Sequence, residues 1–382
     1  MTLAVAAAAV PLAIWMYLLL ARGGFWRPSP ELPPSSGGPP RTVAAIVPAR
    51  NEAAGIGSAV RSLLTQRFDG TLHVIVVDDG SVDGTAGVAR AAAAAASALE
   101  RLTVISGAPL AEGWTGKLWA MSQGVDAAAG RSFDFLLFTD ADIEHDPDNV
   151  AALVAAADSQ RLDLLSLMVR LSTASFAERC LIPAFVFFFL KLYPPAWIAS
   201  PRARTAGAAG GCMLVRPAAL ARAGGLPAIR GRIIDDCALA AAVKGAGGAL
   251  RLGLTRRTRS LRIYGTFGEI GAMISRTAFN QLRHSYLLLG GALLGLAVTY
   301  LAPPLLVLAP DRAIAALGAA AWLLMTLCYL PLVRYYRLPG GYALLLPAVA
   351  AFYASATVHS AVRYATGRGG HWKGRVQDGR SA

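Results

Sequence analysis

Residues 133–147 read FDFLLFTDADIEHDP, an apolar run that ends abruptly in carboxylates. The pattern predicts a buried strand over 133–138, followed at once by Asp140 and Asp142. Carboxylates two residues apart at a strand end repel each other, so a positive charge is expected between them. A metal ion or a solvated turn would each satisfy this requirement, and the stretch alone does not choose between them.

Alternating strand and helix patterns extend outward from this run. Strand patterns precede it at 42–48, 72–77 and 102–105, with helical patterns at 53–65, about 83–96 and 116–128. Such alternation predicts a mostly parallel sheet covered by helices on both faces. After the run, Asp146 and Pro147 predict a helix N-cap followed by proline at the first helical position.

Polar clusters follow three of these strands. PARNE at 48–52 ends the first strand, DDGS at 78–81 the second, and TDAD at 139–142 the fourth. Each cluster alone is ordinary turn chemistry. Ligands of parallel sheets bind beyond the carboxyl ends of the strands, so three clusters at one edge predict a site.

The N-terminal segment predicts a membrane anchor over residues 1–22. Its uncharged apolar stretch at 3–20 can cross a hydrocarbon core of roughly 30 Å. A cleavable signal peptide is the alternative, but it would begin with positive charge. Arg22 and Arg27 follow the stretch instead, which predicts an external N-terminus and a cytoplasmic middle domain. A linker rich in proline, serine and glycine occupies 23–41.

Three more apolar runs, at 286–308, 313–333 and 342–362, predict C-terminal transmembrane helices over 286–363. Three crossings would place the basic tail, 364–382, outside, although its arginines and lysine favour the inside. One run, for example the one that contains Pro303 and Pro304, could therefore be re-entrant or interfacial. The number of spans stays open.

The net charge of +13 is predicted to attract anionic lipid headgroups. Nucleic acid is not expected as a partner, because no groove-reading helix or aromatic RNA platform is present in the pattern. The four cysteines are widely scattered and indicate neither a disulfide framework nor a zinc site.

Three motifs together resemble the family 2 glycosyltransferases of the GT-A fold. They are VPARNE at 47–52, VVDDGSVDGT at 76–85 and FTDAD at 138–142, and the resemblance covers roughly 42–283. GWTGKLWAMSQG at 113–124, TAGAAGGCMLVRPAAL at 205–220 and HWKGR at 371–375 extend it. The whole pattern is most similar to the hopene-associated glycosyltransferases, with the carotenoid and ceramide glycosyltransferases as relatives.

The resemblance implies a fold and a donor site. The fold is α/β, a Rossmann-like GT-A domain over 42–285, between an N-terminal anchor and C-terminal transmembrane helices. Asp140 and Asp142 would bind a divalent cation, Mg²⁺ or Mn²⁺, that neutralises the leaving diphosphate. Lys117 would lie near sugar or phosphate, although a lysine on the helix surface is an open alternative. The remaining donor-binding residues would be Pro48, Arg50 and Glu52 at the base and Asp79 at the nucleoside.

Transfer with inversion also needs a carboxylate base. GRIIDDCALAAAVKGAGG at 231–248 supplies Asp235 and Asp236, and the resemblance makes Asp236 the base. A helix cap is the alternative for the pair, especially for Asp235. The resemblance would make Arg283 the arginine of a Gln-x-x-Arg-Trp motif that binds the diphosphate or the acceptor; a positive-inside residue just before the next apolar run is the open alternative. Asn280 and His284 depart from that motif, which argues against a processive polysaccharide synthase.

The segment near 176–200 is apolar, is interrupted by Lys191 and a proline pair, and is too short in its core to span. It predicts either an interfacial segment that guides a lipid acceptor or a buried core helix.

The expected function is a membrane-bound inverting glycosyltransferase at the cytoplasmic face of a bacterial-type inner membrane. Its donor would be a UDP-sugar or another nucleotide-diphosphate sugar, and its acceptor a hopanoid or other isoprenoid lipid. The alternatives are a processive polysaccharide synthase and a non-catalytic, nucleotide-sugar-binding membrane partner.

Overall fold

Eight strands form one mixed sheet in the middle of the chain. The computed structural model describes residues 2–33, 37, 39–367, 371–372 and 375–376. The strands are β1 (Thr42–Ala49), β2 (Thr71–Asp78), β3 (Leu102–Ser106), β4 (Phe135–Thr139), β5 (Ile143–His145), β6 (Leu164–Arg170), β7 (Cys212–Val215) and β8 (Leu250–Ser260). Their spatial order is β3-β2-β1-β4-β7-β6-β8-β5.

The first four strands are parallel, as predicted, and the other half of the sheet is mixed. β7 runs antiparallel to both β4 and β6, while β6 and β8 are parallel and β5 is antiparallel to β8. The expectation of a mostly parallel sheet therefore describes the half from β3 to β4. The carboxyl ends of β1, β2 and β4 meet at one edge, because these strands are parallel neighbours.

Helices cover both faces of the sheet. They are α2 (Ala53–Leu64), α3 (Thr85–Ala95), α4 (Gly116–Ala128), α5 (Asn149–Ser159), α8 (Pro217–Arg222) and α9 (Asp235–Gly245). Val43 and Val47 of β1 pack with α2, α3 and α5 on one face, whereas Ala44 and Ile46 pack with α4 and α9 on the other. Successive side chains of a strand point to opposite faces, so a strand buried on both sides reads as one apolar run.

The predicted helix start at Asp146 and Pro147 is wrong. α5 begins at Asn149, with Asp148 at the N-cap position. The backbone N–H of Asp146 donates to the carbonyl of Arg257, and the carbonyl of Pro147 accepts from the N–H of Arg67. These bonds tie both residues into the connection from β5 before the helix can begin.

Apolar helices pack against the face of the sheet that carries α4. They are α1 (Thr2–Leu20), α6 (Phe176–Leu192), α7 (Pro195–Ala199), α10 (Phe267–Ser275), α11 (Ala278–Gln281), α12 (Tyr286–Leu296), α13 (Ala302–Val307), α14 (Arg312–Tyr335) and α15 (Leu346–Ala365). A π-helical turn, Ala297–Leu301, joins α12 to α13 immediately before Pro303 and Pro304. Those prolines lack backbone donors, and a π-turn is one way to accommodate them within a continuous helix.

Five helical stretches are long and apolar enough to cross a membrane. They are Leu3–Leu20, Phe176–Ala199, Tyr286–Val307, Arg312–Tyr335 and Gly340–Ala365. Three of them pack together: the Trp15 indole N–H donates to the Thr299 carbonyl at 2.7 Å, and Gly318 of α14 lies against Leu306 of α13.

α6 lies between these helices and the sheet. Its Phe187 is buried between Phe25, which follows α1, and Tyr329 of α14, with ring centroids 5.2 and 5.1 Å apart. The carbonyl of Leu181 accepts a hydrogen bond from the Tyr353 hydroxyl of α15. One face of the segment near 176–200 is thus core, while Phe176 at its start is exposed.

Two short strands, β9 (His371–Trp372) and β10 (Arg375–Val376), pair antiparallel after α15. Most of the predicted basic tail at 364–382, including Arg368, Lys373 and Arg380, lies outside the described residues.

Candidate active site

The loops after β1 and β2 are joined by hydrogen bonds. The Arg50 guanidinium donates to the carbonyl of Asp79 and lies 3.7 Å from Oδ2 of its buried carboxylate. The N–H of Glu52 donates to Oγ1 of Thr85 at 2.9 Å, and the N–H of Asn51 donates to the Ser81 hydroxyl at 2.9 Å. The two predicted polar clusters therefore form one unit at the sheet edge.

Pro48 is the predicted base-pocket residue that lies deepest. It is buried within β1, opposite Val77 of β2 in the parallel register. Its ring therefore belongs to the floor below the loop that carries Arg50 and Glu52.

Lys117, in the first turn of α4, connects two carboxylate groups. Its Nζ lies 2.8 Å from Oδ1 of Asp140 and 3.3 Å from Oδ2 of Asp235. Burial would lower the pKa of this ammonium, but the charges of Asp140 and Asp235 outweigh burial and hold the pKa above its ordinary value. Lys117 is therefore a paired, charged group inside the site, and the alternative of a lysine on the helix surface is wrong.

Asp236 lies in the first turn of α9 with both carboxylate oxygens held by backbone donors. Oδ2 accepts from the N–H of Gly210 at 2.9 Å, and Oδ1 accepts from the N–H of Cys237 at 2.7 Å. Burial and the adjacent charge of Asp235 raise the pKa of Asp236 to about 6, against the opposing charge of Lys117.

The cap interpretation of Asp235 is wrong. Ile234 occupies the N-cap position of α9, and Asp235 is the first helical residue. The Asp235 side chain pairs with Lys117, so it belongs to the same charge cluster as Asp140.

Arg262 is a site residue that the sequence did not reveal. Its Nε lies 3.0 Å from Oδ2 of Asp142, and another guanidinium nitrogen lies 3.1 Å from Oε1 of Glu52. It follows β8 by two residues and is one of five arginines between 251 and 262, so nothing in the sequence distinguishes it from solvated neighbours. Nor did the sequence predict that the backbone N–H of Gly210 would bind Asp236, because Gly210 lies in a run of glycine and alanine.

Asp142 is half-buried, and its pKa is raised by desolvation and by the charge of Asp140, while Arg262 opposes the shift. A divalent cation beside the two carboxylates would relieve the same repulsion, and carboxylate oxygens are the donors that Mg²⁺ and Mn²⁺ accept. Within the described residues, no group of three or more histidine, cysteine or acidic side chains could hold a metal ion. Two carboxylates completed by substrate phosphates fit such a cation.

These contacts run continuously along the carboxyl edge of the sheet. Asp79 contacts Arg50, and Glu52 of the same loop meets Asp142 through Arg262. Asp140 then meets the α9 carboxylates through Lys117. The geometry brings together nine of the ten predicted site residues: Pro48, Arg50, Glu52, Asp79, Lys117, Asp140, Asp142, Asp235 and Asp236.

Arg283 is the predicted residue that lies apart from this series. It is exposed, has a positive φ of 52°, and lines a cavity of about 540 Å³. Arg232 and Ile233 line the same cavity and lead directly into α9. The His284 ring stacks on Tyr364 with centroids 4.0 Å apart, so it is a packing residue.

Comparison with known proteins identifies the domain. Residues 44–220 match the family model described as Glycosyl transferase family 2. This part of the chain is similar to the family 2 glycosyltransferases. The match ends at Leu220, so it includes the acidic clusters after β2 and β4 and leaves the Asp235–Asp236 pair to its C-terminal side.

Two curated relatives match part of this chain. One is 4,4'-diaponeurosporenoate glycosyltransferase of Staphylococcus aureus strain bovine RF122 / ET3-1, 38% identical over 104 residues, which are 27% of this chain and 24% of the relative. The same enzyme of strain MRSA252 is 39% identical over 99 residues, 26% of this chain and 23% of the relative. The chain thus spans about a quarter of the length of the curated relatives it matches.

A solved structure shares the fold over nearly the whole chain. The mannosyltransferase PcManGT of Pyrobaculum calidifontis, in complex with GDP-Man and Mn²⁺, aligns over 94% of this chain and 98% of its own. The TM-score is 0.55 and the identity 22%. The expected fold is therefore confirmed: a GT-A domain flanked by apolar helices at both ends.

Proposed function

We propose that this protein is a membrane-bound inverting glycosyltransferase that moves a sugar from a UDP-sugar to an isoprenoid lipid. The observation that carries the proposal is Asp236, a half-buried carboxylate held by two backbone N–H groups beside the Lys117–Asp140 pair. A carboxylate with a pKa of about 6 is ionised near neutral pH and is still basic enough to accept a proton.

The donor would lie along the carboxyl edge of the sheet. Asp79 and the Arg50–Glu52 loop would hold the nucleoside, and Lys117 would supply a positive charge to the phosphates. Asp140 and Asp142 would hold a divalent cation, which supplies Lewis-acid stabilisation to the departing diphosphate. The neighbour of the same fold was solved with a nucleotide-sugar and Mn²⁺, which supports this class of donor and cofactor.

In the transfer step, Asp236 would accept the proton of the acceptor hydroxyl as that oxygen attacks the anomeric carbon. The bond from the anomeric carbon to the diphosphate oxygen breaks as the new glycosidic bond forms. Because attack comes from the face opposite the leaving group, the configuration at the anomeric carbon inverts. The two N–H groups hold Asp236 in place, so the base needs no reorganisation during the step.

The apolar helices and the curated relatives support a lipid acceptor. The relatives act on diaponeurosporenoate, according to their names. α6 brings an apolar surface from the helical bundle to the sheet that carries the carboxylates. A hopanoid or another isoprenoid would reach the site from the bilayer, with the catalytic domain at its cytoplasmic face.

The test is the Asp236→Asn variant, which keeps the shape of the side chain and removes the base. We expect transfer from UDP-sugar to an extracted lipid fraction, in neutral nanodiscs, to fall by about 10²–10⁴-fold. Equilibrium binding of UDP should change little. Asp126→Asn, at an exposed position of α4, is the matched control and should retain activity. Normal transfer by Asp236→Asn would refute the assignment of the base.

A further inference from the structure

Residues 209–211, just before β7, carry one of the two backbone N–H groups that hold the base. The N–H of Gly210 donates to Oδ2 of Asp236 at 2.9 Å. A Cβ added at Gly210 would lie 3.2 Å from Nζ of Lys117 and 3.4 Å from Oδ2 of Asp236, so the backbone itself approaches the charge cluster. The direction of this N–H therefore depends on the groups that hold the segment from behind.

Two buried hydroxyl groups hold the segment on either side of Gly210. The Ser166 hydroxyl of β6 accepts the N–H of Ala209 at 2.8 Å and donates to the carbonyl of the same residue at 3.1 Å. The Thr139 hydroxyl, at the end of β4, donates to the carbonyl of Gly211 at 2.9 Å. Because both neighbours of Gly210 are fixed in this way, its N–H has little freedom to turn away from the carboxylate.

His145 of β5 fixes the direction of the Thr139 hydroxyl. That hydroxyl has one hydrogen, and a carbonyl can only accept, so the hydrogen goes to Gly211. The contact of 3.0 Å between Oγ1 of Thr139 and Nε2 of His145 therefore requires the hydrogen of the ring on Nε2. Nδ1 of the same ring, 3.0 Å from Nδ2 of Asn149, is then the acceptor. Burial lowers the pKa of His145 to about 4, so the ring is neutral near neutral pH and keeps this tautomer.

We propose that Thr139 and His145 are positioning residues for the base Asp236. They act through Gly211 and Gly210, which lie between the end of β4 and the carboxylate. Thr139 is 2% exposed and His145 3%, so both work through the backbone segment and not from the surface of the cleft. The inference rests on the proposed function, in which Asp236 accepts the proton of the acceptor, and adds the side chains that hold this base ready for the step.

Infrared spectroscopy measures the effect on Asp236 without turnover. Full-length protein in phosphatidylcholine nanodiscs is titrated between about pH 5 and pH 8, a range that brackets the pKa of about 6. The band of a protonated carboxyl group that is missing in Asp236→Asn belongs to Asp236. Thr139→Val keeps the shape of the side chain and removes the hydroxyl. A weaker hydrogen bond to the charged form raises the pKa of a carboxyl group, so we expect the midpoint of the band to rise by about 0.5–1 pH unit.

Two substitutions at His145 separate the two bonds of its ring. Glutamine offers an amide N–H near the position of Nε2, and asparagine offers an amide oxygen near the position of Nδ1. His145→Asn should therefore raise the midpoint as Thr139→Val does, whereas His145→Gln and Thr139→Ser should leave it at about 6. Equal shifts in His145→Asn and His145→Gln would overturn the role of His145. An unmoved midpoint in Thr139→Val would overturn the whole proposal.

Thr258→Val is the matched control. Thr258 is a buried threonine of β8 in the same sheet, and its hydroxyl has no hydrogen-bond partner within the part of the chain that the structure describes. The variant should leave the midpoint in place. A shift as large as that of Thr139→Val would mean that any change in the core moves the midpoint, and the proposal would fall. Asp235 and Lys117, the charged groups that act on Asp236, are unchanged in every variant.

Transfer assays separate this inference from the proposed function. In Thr139→Val, kcat for sugar transfer should fall about tenfold, while the affinity for UDP changes little, because the lost bond lies on the side of the base. An unchanged kcat would overturn the positioning role. A moved midpoint without sugar transfer by the unsubstituted protein would refute the transferase alone. Transfer by that protein, with an unmoved midpoint in Thr139→Val, would refute the positioning role alone.

Discussion

At the scale of single residues, the protonation of Asp236 makes the pH dependence predictable. Burial and then the charge of Asp235 raise its pKa to about 6. Only the carboxylate form can accept a proton, so we expect kcat/KM to rise with pH through about 6 and to level off above it.

The Asp235→Asn variant tests the cause of that pKa. It removes the neighbouring negative charge, so the pKa of Asp236 falls and the acidic limb of the pH profile moves to lower pH. The readout is the pH at which the acidic limb of the kcat/KM profile lies. The height of the plateau is not used, because loss of the Asp235–Lys117 pair can also lower it. The profile is measured from pH 5 to 9 at saturating cation. A limb that stays in place would show that Asp235 does not set the pKa.

The acidic residues of the site were predictable because each lies beside a strand end or a helix start, where local pattern is informative. Their partners were not. Arg262 meets residues 120 and 210 positions away, and only the pairing of β5 with β8 brings it there. Gly210 acts through its backbone N–H, which has no signature in the side-chain sequence.

At the scale of elements, α4 packs so closely on β1 that position 124 has no space for a side chain. A Cβ added at Gly124 would lie 2.4 Å from Cγ2 of Ile46. Gly124→Ala should therefore lower the free energy of unfolding by about 1–3 kcal/mol, as overpacking of a core does. Denaturant unfolding followed by fluorescence measures it.

Gly87→Ala is the control for that substitution. Gly87 lies in α3 with no atom near the added Cβ, so the change should stabilise the protein by about 0.5–1 kcal/mol through helix propensity. If both variants shift stability in the same direction, close packing of α4 on β1 is not what constrains position 124.

The first four strands and their helices were predicted to within two residues, because buried parallel strands and amphipathic helices carry strong local patterns. The strands from β5 to β8 were not predicted. β5 and β7 are short, and β8 joins a leucine alternation typical of a strand, LRLGLT, to a basic stretch, RRTRS, that resembles a solvated loop. Their pairing is decided by tertiary contacts, as was the delayed start of α5.

At the scale of the whole molecule, the helix ends relate the apolar bundle to the catalytic domain. α14 ends beside the sheet, where Arg256 donates to the carbonyl of Tyr335. Gly340, just before α15, lies against Leu330 near that same end of α14. The last turns of α15 meet α11, since the Ser360 hydroxyl accepts the N–H of Phe279. We infer from these contacts that both ends of α15 lie on the side of the catalytic domain.

We propose a topology from this arrangement that would remove the conflict between helix count and charge. α1, the α12–α13 helix and α14 pack together, and three crossings by these helices return the chain to the side of the catalytic domain. In this topology α15 would not cross, although it packs against α12 and the π-helical turn as well as against α10, α11 and α6. This topology would place the positive charges that follow α15 on the catalytic side, in agreement with the positive-inside rule.

Cysteine accessibility tests this topology in intact cells. Two variants each introduce one cysteine at an exposed position. Pro310→Cys places it between α13 and α14, and Thr366→Cys places it directly after α15. A membrane-impermeant maleimide should label position 310 in intact spheroplasts and position 366 only after permeabilisation. Arg90→Cys, exposed on α3, reports the catalytic domain and should behave like position 366. If α15 also crossed the membrane, the chain would make four crossings. Position 366 would then react from outside, while position 90 stayed protected, and the proposed topology would be refuted.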